Sequence, residues 1–447
     1  MRHARRTLHE VLVPLVATVV AMVMVSALVP GVSWAARSAL RPIVFVHGFF
    51  GSGSQFATQA KRFASNGYPA THVEYVEYDT LFLSNTRAEV LASLERRIAR
   101  LRAATGADKV ELVGHSLGTS ISQEYLNSSP ERAAGVAHYV NIDGSTATAL
   151  PGGVPTLALW AEGGQNDSIP GATNVHMPNE SHVENASSPA SFAAMYRFFT
   201  GAAPVTTEVV PEQGEITLAG RAVRFPSNGG PGDAVVDVFE VDPATGRRTT
   251  PQPLYTSRVT EDGSFGPFRG RGSAHYEFQL TRSDTDQRHH LYFEPFLRTD
   301  LGVRLISSDP GKGVDRLIHR APGHAALLLY RNKEWWGDQG AAGDTLTVNG
   351  RAVVNAGTAP RGKRAIALFA FDRFADRRSN PGRTFGLYPF LPFMTAVDLH
   401  VPATEPPAGS VTLTTTQRGG GTPVRLVVPD WSSATHTVTV NFNDHVH

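Results

Sequence analysis

The 447-residue sequence contains no cysteine. That excludes disulfides, thiolate metal sites, a cysteine nucleophile and a lipid-modified cysteine anchor, so the fold has to be held by its core alone. An excess of charge of either sign is also missing. Lys and Arg total 41 against 40 Asp and Glu, for a formal net charge of +1. Balanced charge leaves no electrostatic footprint for nucleic acid, which is not expected as a partner. Internal repeats and low-complexity segments are absent too. Long hydrophobic runs are scarce, and the one that stands out spans residues 11–32. It follows Arg2, Arg5 and Arg6 and precedes Ser33-Trp34-Ala35, a small-x-small site before Ala36. This is the pattern of a secretory signal peptide over residues 1–35, which implies an extracellular protein. An uncleaved membrane anchor is the alternative, because the run is long enough to span a bilayer.

From residue 36 to 201 strand-like and helix-like segments alternate. Val90, Leu94, Ile98 and Leu101 make one helical stripe in 87–105, and further helices are expected at 116–127 and 189–199. Short apolar runs at 42–46, 71–76, 109–113, 136–142, 156–160 and 173–177 read as strands. Such alternation implies a mostly parallel sheet with helices on both faces. Residues 202–213 read as a linker with two prolines. Beyond it turn signals such as Asn228-Gly229, Asp262-Gly263 and Asn349-Gly350 recur, Tyr276 to Leu280 alternates with period two, and helical stripes stop. An all-β region is expected there, divided into a β-sandwich over 214–281 and a C-terminal β module over 282–447.

The chemistry concentrates in Gly114-His115-Ser116-Leu117-Gly118, which follows a strand and opens a helix. A serine on such a turn is pushed out of the surface, and the Leu117 N–H behind it can stabilise an oxyanion. His47-Gly48-Phe49 follows the first strand, where the Phe49 N–H would supply a second donor. A serine hydroxyl needs a base to take its proton. His182 lies in a loop expected at the same edge of the sheet, whereas His72, His138 and His176 fall at or in strands, His47 precedes the oxyanion turn and His115 is inside the elbow. Two carboxylates end strands at that edge, Asp143 and Asp167. Asp143, on a strand tip, is the choice for orienting His182, with Asp167 as the alternative. His289-His290 and the terminal Asp444-His445-Val446-His447 have metal-ligand chemistry, but no metal site is assigned and no cofactor is called for.

Together His47-Gly48-Phe49, the Ser116 elbow and Ser181-His182 resemble the α/β-hydrolase fold family, and the chain from residue 36 onward resembles two-domain secreted lipases with a C-terminal β domain. In such lipases the acid follows the strand after the elbow, which matches Asp143; in small single-domain lipases it follows the next strand, which matches Asp167. Ile216 to Gly220, Val235 to Asp242 and Thr260 to Phe265 resemble a transthyretin-like sandwich. The resemblance implies a serine ester hydrolase, a lipase cleaving long-chain acylglycerols through an acyl-enzyme. The alternatives are a polyester or short-chain esterase or thioesterase, and a non-catalytic lipid- or glycan-binding protein. Three clusters, Phe385 to Met394, Tyr292 to Leu297 and Trp335-Trp336, would either line an acyl groove and touch a lipid interface or fill the core. Tyr75 to Leu83 reads as either a minimal lid or a packed loop.

Overall fold

Six strands, buried except for half of the second, part of the fourth and all of the sixth at one edge, carry the first part of the protein. The computed structural model describes residues 40–445, so the signal-peptide expectation for residues 1–35 lies outside the described residues. From Arg41 the chain forms one unit. Strands β1 (Ile43–Val46), β2 (Val73–Val76), β3 (Val110–His115), β4 (Val136–Ile142), β5 (Thr156–Trp160) and β6 (Thr173–His176) form a sheet ordered β2-β1-β3-β4-β5-β6. Every neighbouring pair is parallel. Helices α1 (Ala57–Ser65), α2 (Arg87–Thr105), α3 (Leu117–Ser128) and α4 (Pro130–Ala134) lie in the crossovers from β1 to β4, and α5 (Pro189–Thr200) follows β6.

The stripe on α2 packs with Ile121 and Tyr125 of α3 against Val44, Val46 and Leu112 on one face of the sheet. Phe45 points to the other face, where it stacks on Phe56 at 4.5 Å just ahead of α1. A Thr86–Glu89 capping box starts α2 and Gly106 ends it at φ 71°. Ser188 caps α5 ahead of Pro189, and Gly201 ends it at φ 74°. Of the segment 75–83, Tyr75, Tyr78, Asp79 and Thr80 are buried, whereas Leu81 and Leu83 are exposed. Tyr78 donates to the His47 carbonyl at 2.7 Å, and Asp79 gathers the N–H groups of Leu81, Leu83 and Ser84. The linker, without regular structure, is tied to the end of α1 through Arg62 Nε to the Thr207 carbonyl (2.8 Å) and Asn66 Nδ2 to the Thr206 carbonyl (2.8 Å).

The β region comprises β7 (Glu215–Arg224), β8 (Ala234–Val241), β9 (Tyr255–Arg258), β10 (Ser264–Arg271), β11 (His275–Arg282), β12 (Arg288–Phe293), β13 (Asp300–Ser307), β14 (Leu327–Arg331), β15 (Thr345–Val348), β16 (Arg351–Ala352), β17 (Ala367–Phe371), β18 (Met394–Asp398), β19 (Ser410–Thr416), β20 (Val424–Pro429) and β21 (His436–Phe442). An eight-stranded sheet, β18-β17-β14-β21-β12-β11-β8-β9, is its backbone. The boundary expected at 282 falls on the last residue of β11, which pairs antiparallel with β12 from Tyr276–Phe293 to Thr281–Arg288. The two β portions therefore share one sheet instead of meeting at that point.

The face of this sheet bearing Val438 and Val440 packs on a four-stranded sheet, β16-β15-β19-β20, around Leu346, Leu413 and Trp335. Along β8, β11 and β12 the opposite face packs on the three-stranded sheet β10-β7-β13, around Phe265, Phe278 and Leu305. Along β14, β17 and β18 that same face carries Phe369, Phe371 and Met394, and Phe50 from the loop after β1 packs there.

Candidate active site

Ser116 joins β3 to α3 at φ 52° and ψ −120°, a left-side conformation that a serine adopts only where its surroundings hold it. Three groups do so: Ser116 N–H donates to the Ile142 carbonyl (2.9 Å), and the Ser116 carbonyl accepts from Thr119 N–H (3.0 Å) and Thr119 Oγ1 (2.6 Å). The flanking glycines are needed for space. A Cβ on Gly118 would sit 2.2 Å from the Val46 carbonyl oxygen, and one on Gly114 would sit 2.7 Å from the Gly118 carbonyl oxygen. A Cβ on Gly48 would meet the Ser116 Cβ at 2.9 Å, so the turn after β1 lies directly against the elbow. Neither the Phe49 nor the Leu117 N–H donates to another group among the described residues, which leaves both free for an oxyanion.

His182 and Ser116 line the same pocket, with Phe49, Gly48 and Gln55. His182 Nδ1–H donates to Asp143 Oδ2 at 2.6 Å, leaving Nε2 as the free nitrogen. Asp143 leaves β4 at φ 40°, anchored by its N–H to the Leu159 carbonyl (2.7 Å), and its Oδ1 accepts the Ala161 N–H (2.8 Å). Burial raises the Asp143 pKa, but the bond to His182, its charge and the Ala161 N–H together hold it below the ordinary value. Asp167 lies close by: a Cβ on Gly164 would be 3.1 Å from Asp143 Oδ1 and 3.3 Å from Asp167 Oδ2. It is Asp143 that the structure brings to His182; Asp167 instead receives His176 Nε2 on its backbone carbonyl at 2.9 Å.

His115, inside the elbow, joins the site through its ring. Its Nε2–H donates to the His182 carbonyl (2.9 Å), and its Nδ1 accepts from Gln55 Nε2 (2.6 Å). Gln55 Oε1 accepts the Gly48 N–H at 3.3 Å. One chain of bonds thus links the oxyanion turn, the elbow and the histidine loop. Burial, with the neighbouring His182, lowers the His115 pKa to about 3, so it stays neutral as this pattern requires. Gln55 carried no sequence signal, because a lone glutamine in a Gly/Ser-rich turn has no motif.

The β region completes the pocket. Tyr330 of β14 and Asn332 just after it, with Ile366 and Phe393, line it together with Ser116. Asn332 Nδ2 donates to the Ser54 carbonyl (3.0 Å), and Asn228 Nδ2 donates to the Gly51 carbonyl (2.8 Å). Tyr330, Ile366 and Phe393 also line a larger apolar cavity, with about 1090 Å³ of empty space counting its open mouth, bounded by Phe50, Phe225, Phe369 and Met394. The aromatic clusters therefore divide. Phe393 and Met394 line the cavity, whereas Tyr292, Phe293, Phe296, Trp335 and Trp336 are buried in packing and Phe390 is 82% exposed. His289 bonds Thr439 and His290 bonds Glu277 and His436. No group of three or more metal-ligating side chains occurs among the described residues.

The model of the α/β hydrolase fold matches residues 41–163 and that of the lipase C-terminal domain matches residues 214–310. A third model, described only as a C-terminal domain, matches residues 313–446. A search of curated proteins finds no match. Among solved structures, lipase B of Aspergillus fumigatus is 14% identical, with 40% of this chain and 56% of that chain covered at a TM-score of 0.31. Lipase BlEst2 of Bacillus licheniformis is 12% identical, with 88% and 93% covered at a TM-score of 0.30. Phospholipase PlaB of Legionella pneumophila is 9% identical, with 90% and 94% covered at 0.23. The chain spans little more than half the length of the Aspergillus enzyme. At these scores the structural likenesses carry no weight for function.

Proposed function

We propose that this chain, an α/β hydrolase with a lipase C-terminal domain, is a serine ester hydrolase acting on esters of long-chain acyl groups, with acylglycerols as the substrate class. The observation that carries the reading is the Asp143–His182 pair beside Ser116 in a pocket that shares Tyr330, Ile366 and Phe393 with a large apolar cavity. The short pocket suits an ester head, and the cavity suits an alkyl chain.

In this mechanism His182 Nε2 takes the Ser116 hydroxyl proton as Oγ attacks the ester carbonyl. Asp143 keeps the Nδ1–H tautomer and offsets the charge of the imidazolium. The Phe49 and Leu117 N–H groups hold the tetrahedral oxyanion, a contribution of about 3 kcal/mol for each donor by analogy with other acyl transfers. Collapse breaks the C–O bond to the alcohol, which leaves with the proton from His182. Water, deprotonated by His182, then attacks the acyl-enzyme, and Ser116 recovers its proton. Export is part of the same proposal, supported by the basic start, the apolar run and the small-x-small site before Ala36. Recovery of a chain beginning at Ala36 from the medium is its check.

The test is hydrolysis of p-nitrophenyl esters from acetyl to palmitoyl, with Ser116→Ala as control and a fluorophosphonate as active-site label. Ser116-dependent turnover that peaks at long chains is expected. Turnover confined to the shortest esters would leave a general esterase, and failure of Ser116 to label would sink the serine mechanism.

A further inference from the structure

Glu334 follows β14 and is fully buried. Its carboxylate takes three donors from the loop that carries His182. Oε1 accepts the Val183 N–H at 2.7 Å, and Oε2 accepts the Glu184 N–H at 3.1 Å and the Ser181 hydroxyl at 2.6 Å. The peptide bond between His182 and Val183 is thereby held at both ends. Its carbonyl accepts from His115 of the elbow, and its N–H donates to Glu334 of the β region. Fixing that peptide plane fixes the direction in which the His182 Cα–Cβ bond leaves the chain.

The main chain that carries the carboxylate is itself held. Arg331 Nη2 and Arg418 Nη1 both donate to the Glu334 carbonyl, Arg331 at 2.8 Å. Arg418 reaches on to Ser181 Oγ (2.9 Å) and to Glu184, and Lys333 Nζ pairs with Glu184 at 3.0 Å. A buried carboxylate is retained at a desolvation cost, and one that loses its donors is strongly destabilising, so this geometry is rigid.

We propose that Glu334 is a positioning residue for the reaction: reaching across from the β region, it sets the orientation of the His182 imidazole against Asp143 and Ser116. The inference rests on the serine-hydrolase reading for its kinetic consequence but not for its structural one. A purely stabilising carboxylate would alter the melting temperature alone. A positioning one also alters turnover per folded molecule, because the base must stay within a fraction of an ångström of its working place.

The test compares the full-length protein with Glu334→Gln, which keeps size and removes charge and one acceptor. On p-nitrophenyl butyrate, below the melting temperature of both, kcat is expected to fall by about 10- to 100-fold, the scale of a small misplacement of reacting groups, with KM little changed. The downfield proton resonance of the His182 Nδ1–H···Asp143 bond is expected to move or vanish. Wild-type kcat and an unmoved resonance in Glu334→Gln would overturn the proposal. Should that variant not fold, Ser181→Ala removes one donor to the same carboxylate. A lowered kcat with a shifted resonance there upholds the proposal, and no change in either rejects it. If the wild-type chain neither hydrolyses esters nor takes the fluorophosphonate, the hydrolase reading fails, and the resonance alone still decides the role of Glu334.

Discussion

Two aspartates compete for one histidine, and at the residue scale backbone placement decides between them. Asp143 and Asp167 approach the same spot above Gly164, and both leave the carboxyl edge of the sheet. Asp143 is fixed from its own strand tip, by the Leu159 carbonyl on its N–H and the Ala161 N–H on Oδ1, which aims Oδ2 at His182. Asp167 sits in a loop, and its side chain receives no imidazole among the described residues. Asp143→Asn should present an amide to Nδ1, favour the wrong tautomer and lower kcat by about 10⁴-fold. Asp167→Asn should leave kcat unchanged. Equal loss in both variants, read on one short ester, would overturn this division of labour. Gly48→Ala should also cost turnover, because the added methyl meets the Ser116 Cβ and His115 Nδ1, each at 2.9 Å. Titration of active sites with a fluorophosphonate separates that loss from unfolding.

At the scale of elements, close approach outweighs propensity. Alanine favours a helix over glycine by about 1 kcal/mol, so Gly118→Ala in the first turn of α3 would stabilise an isolated helix. In the protein its methyl would lie 2.2 Å from the backbone oxygen of Val46, which no rotamer relieves. The variant is expected to melt at a lower temperature and to lose activity; an unchanged melting temperature would show that α3 can shift off β1 freely. The same contest explains what was legible. Helix α2 matched its reading at both ends, because its apolar stripe faces the sheet and Thr86, Glu89 and Gly106 mark its limits. Helix α1 left no stripe, since four of its five buried residues are polar: Thr58, Gln59, Lys61 and Arg62. They spend their polarity on partners far along the chain, such as Asn443, Ser188, Asp300 and Thr207. The serine elbow and its histidine were legible because local spacing encodes them. Glu334 was not, because its role depends on a loop some 150 positions earlier in the sequence.

The whole molecule assembles its site from both halves, and that has a consequence for pH. The cavity beside Ser116 has walls from both, so Leu328→Trp, at a position that lines the cavity but not the Ser116 pocket, should block the chain path and lower kcat/KM for palmitoyl esters by about tenfold or more while sparing acetyl esters. Burial has also trapped titrating groups, at the junction and on either side of it. Burial would raise the Glu184 carboxyl, but Lys333 and Arg418 bring it to about 2, and Asp344, beside Arg331 and Arg418, is likewise held at about 2. Burial keeps His115 and His289 neutral, each with a pKa of about 3. In all four groups the folded value lies below the ordinary one, so each contributes stability at neutral pH that is lost as the pH falls. The imidazoles begin to cost stability below the ordinary 6.5, where the unfolded chain gains protons first. The carboxylates follow below 4.5 for Glu184 and 3.8 for Asp344, down to about 2. The urea midpoint should therefore decline in two stages on acidification. Because Glu184 adjoins the His182 loop, Lys333→Met should weaken the lower stage, as Glu184 then loses one of the cations that hold its pKa down. A midpoint that stays flat from neutral pH to 4 would mean that the buried imidazoles are solvated in the folded protein, and the packing of the elbow against the histidine loop would have to be redrawn.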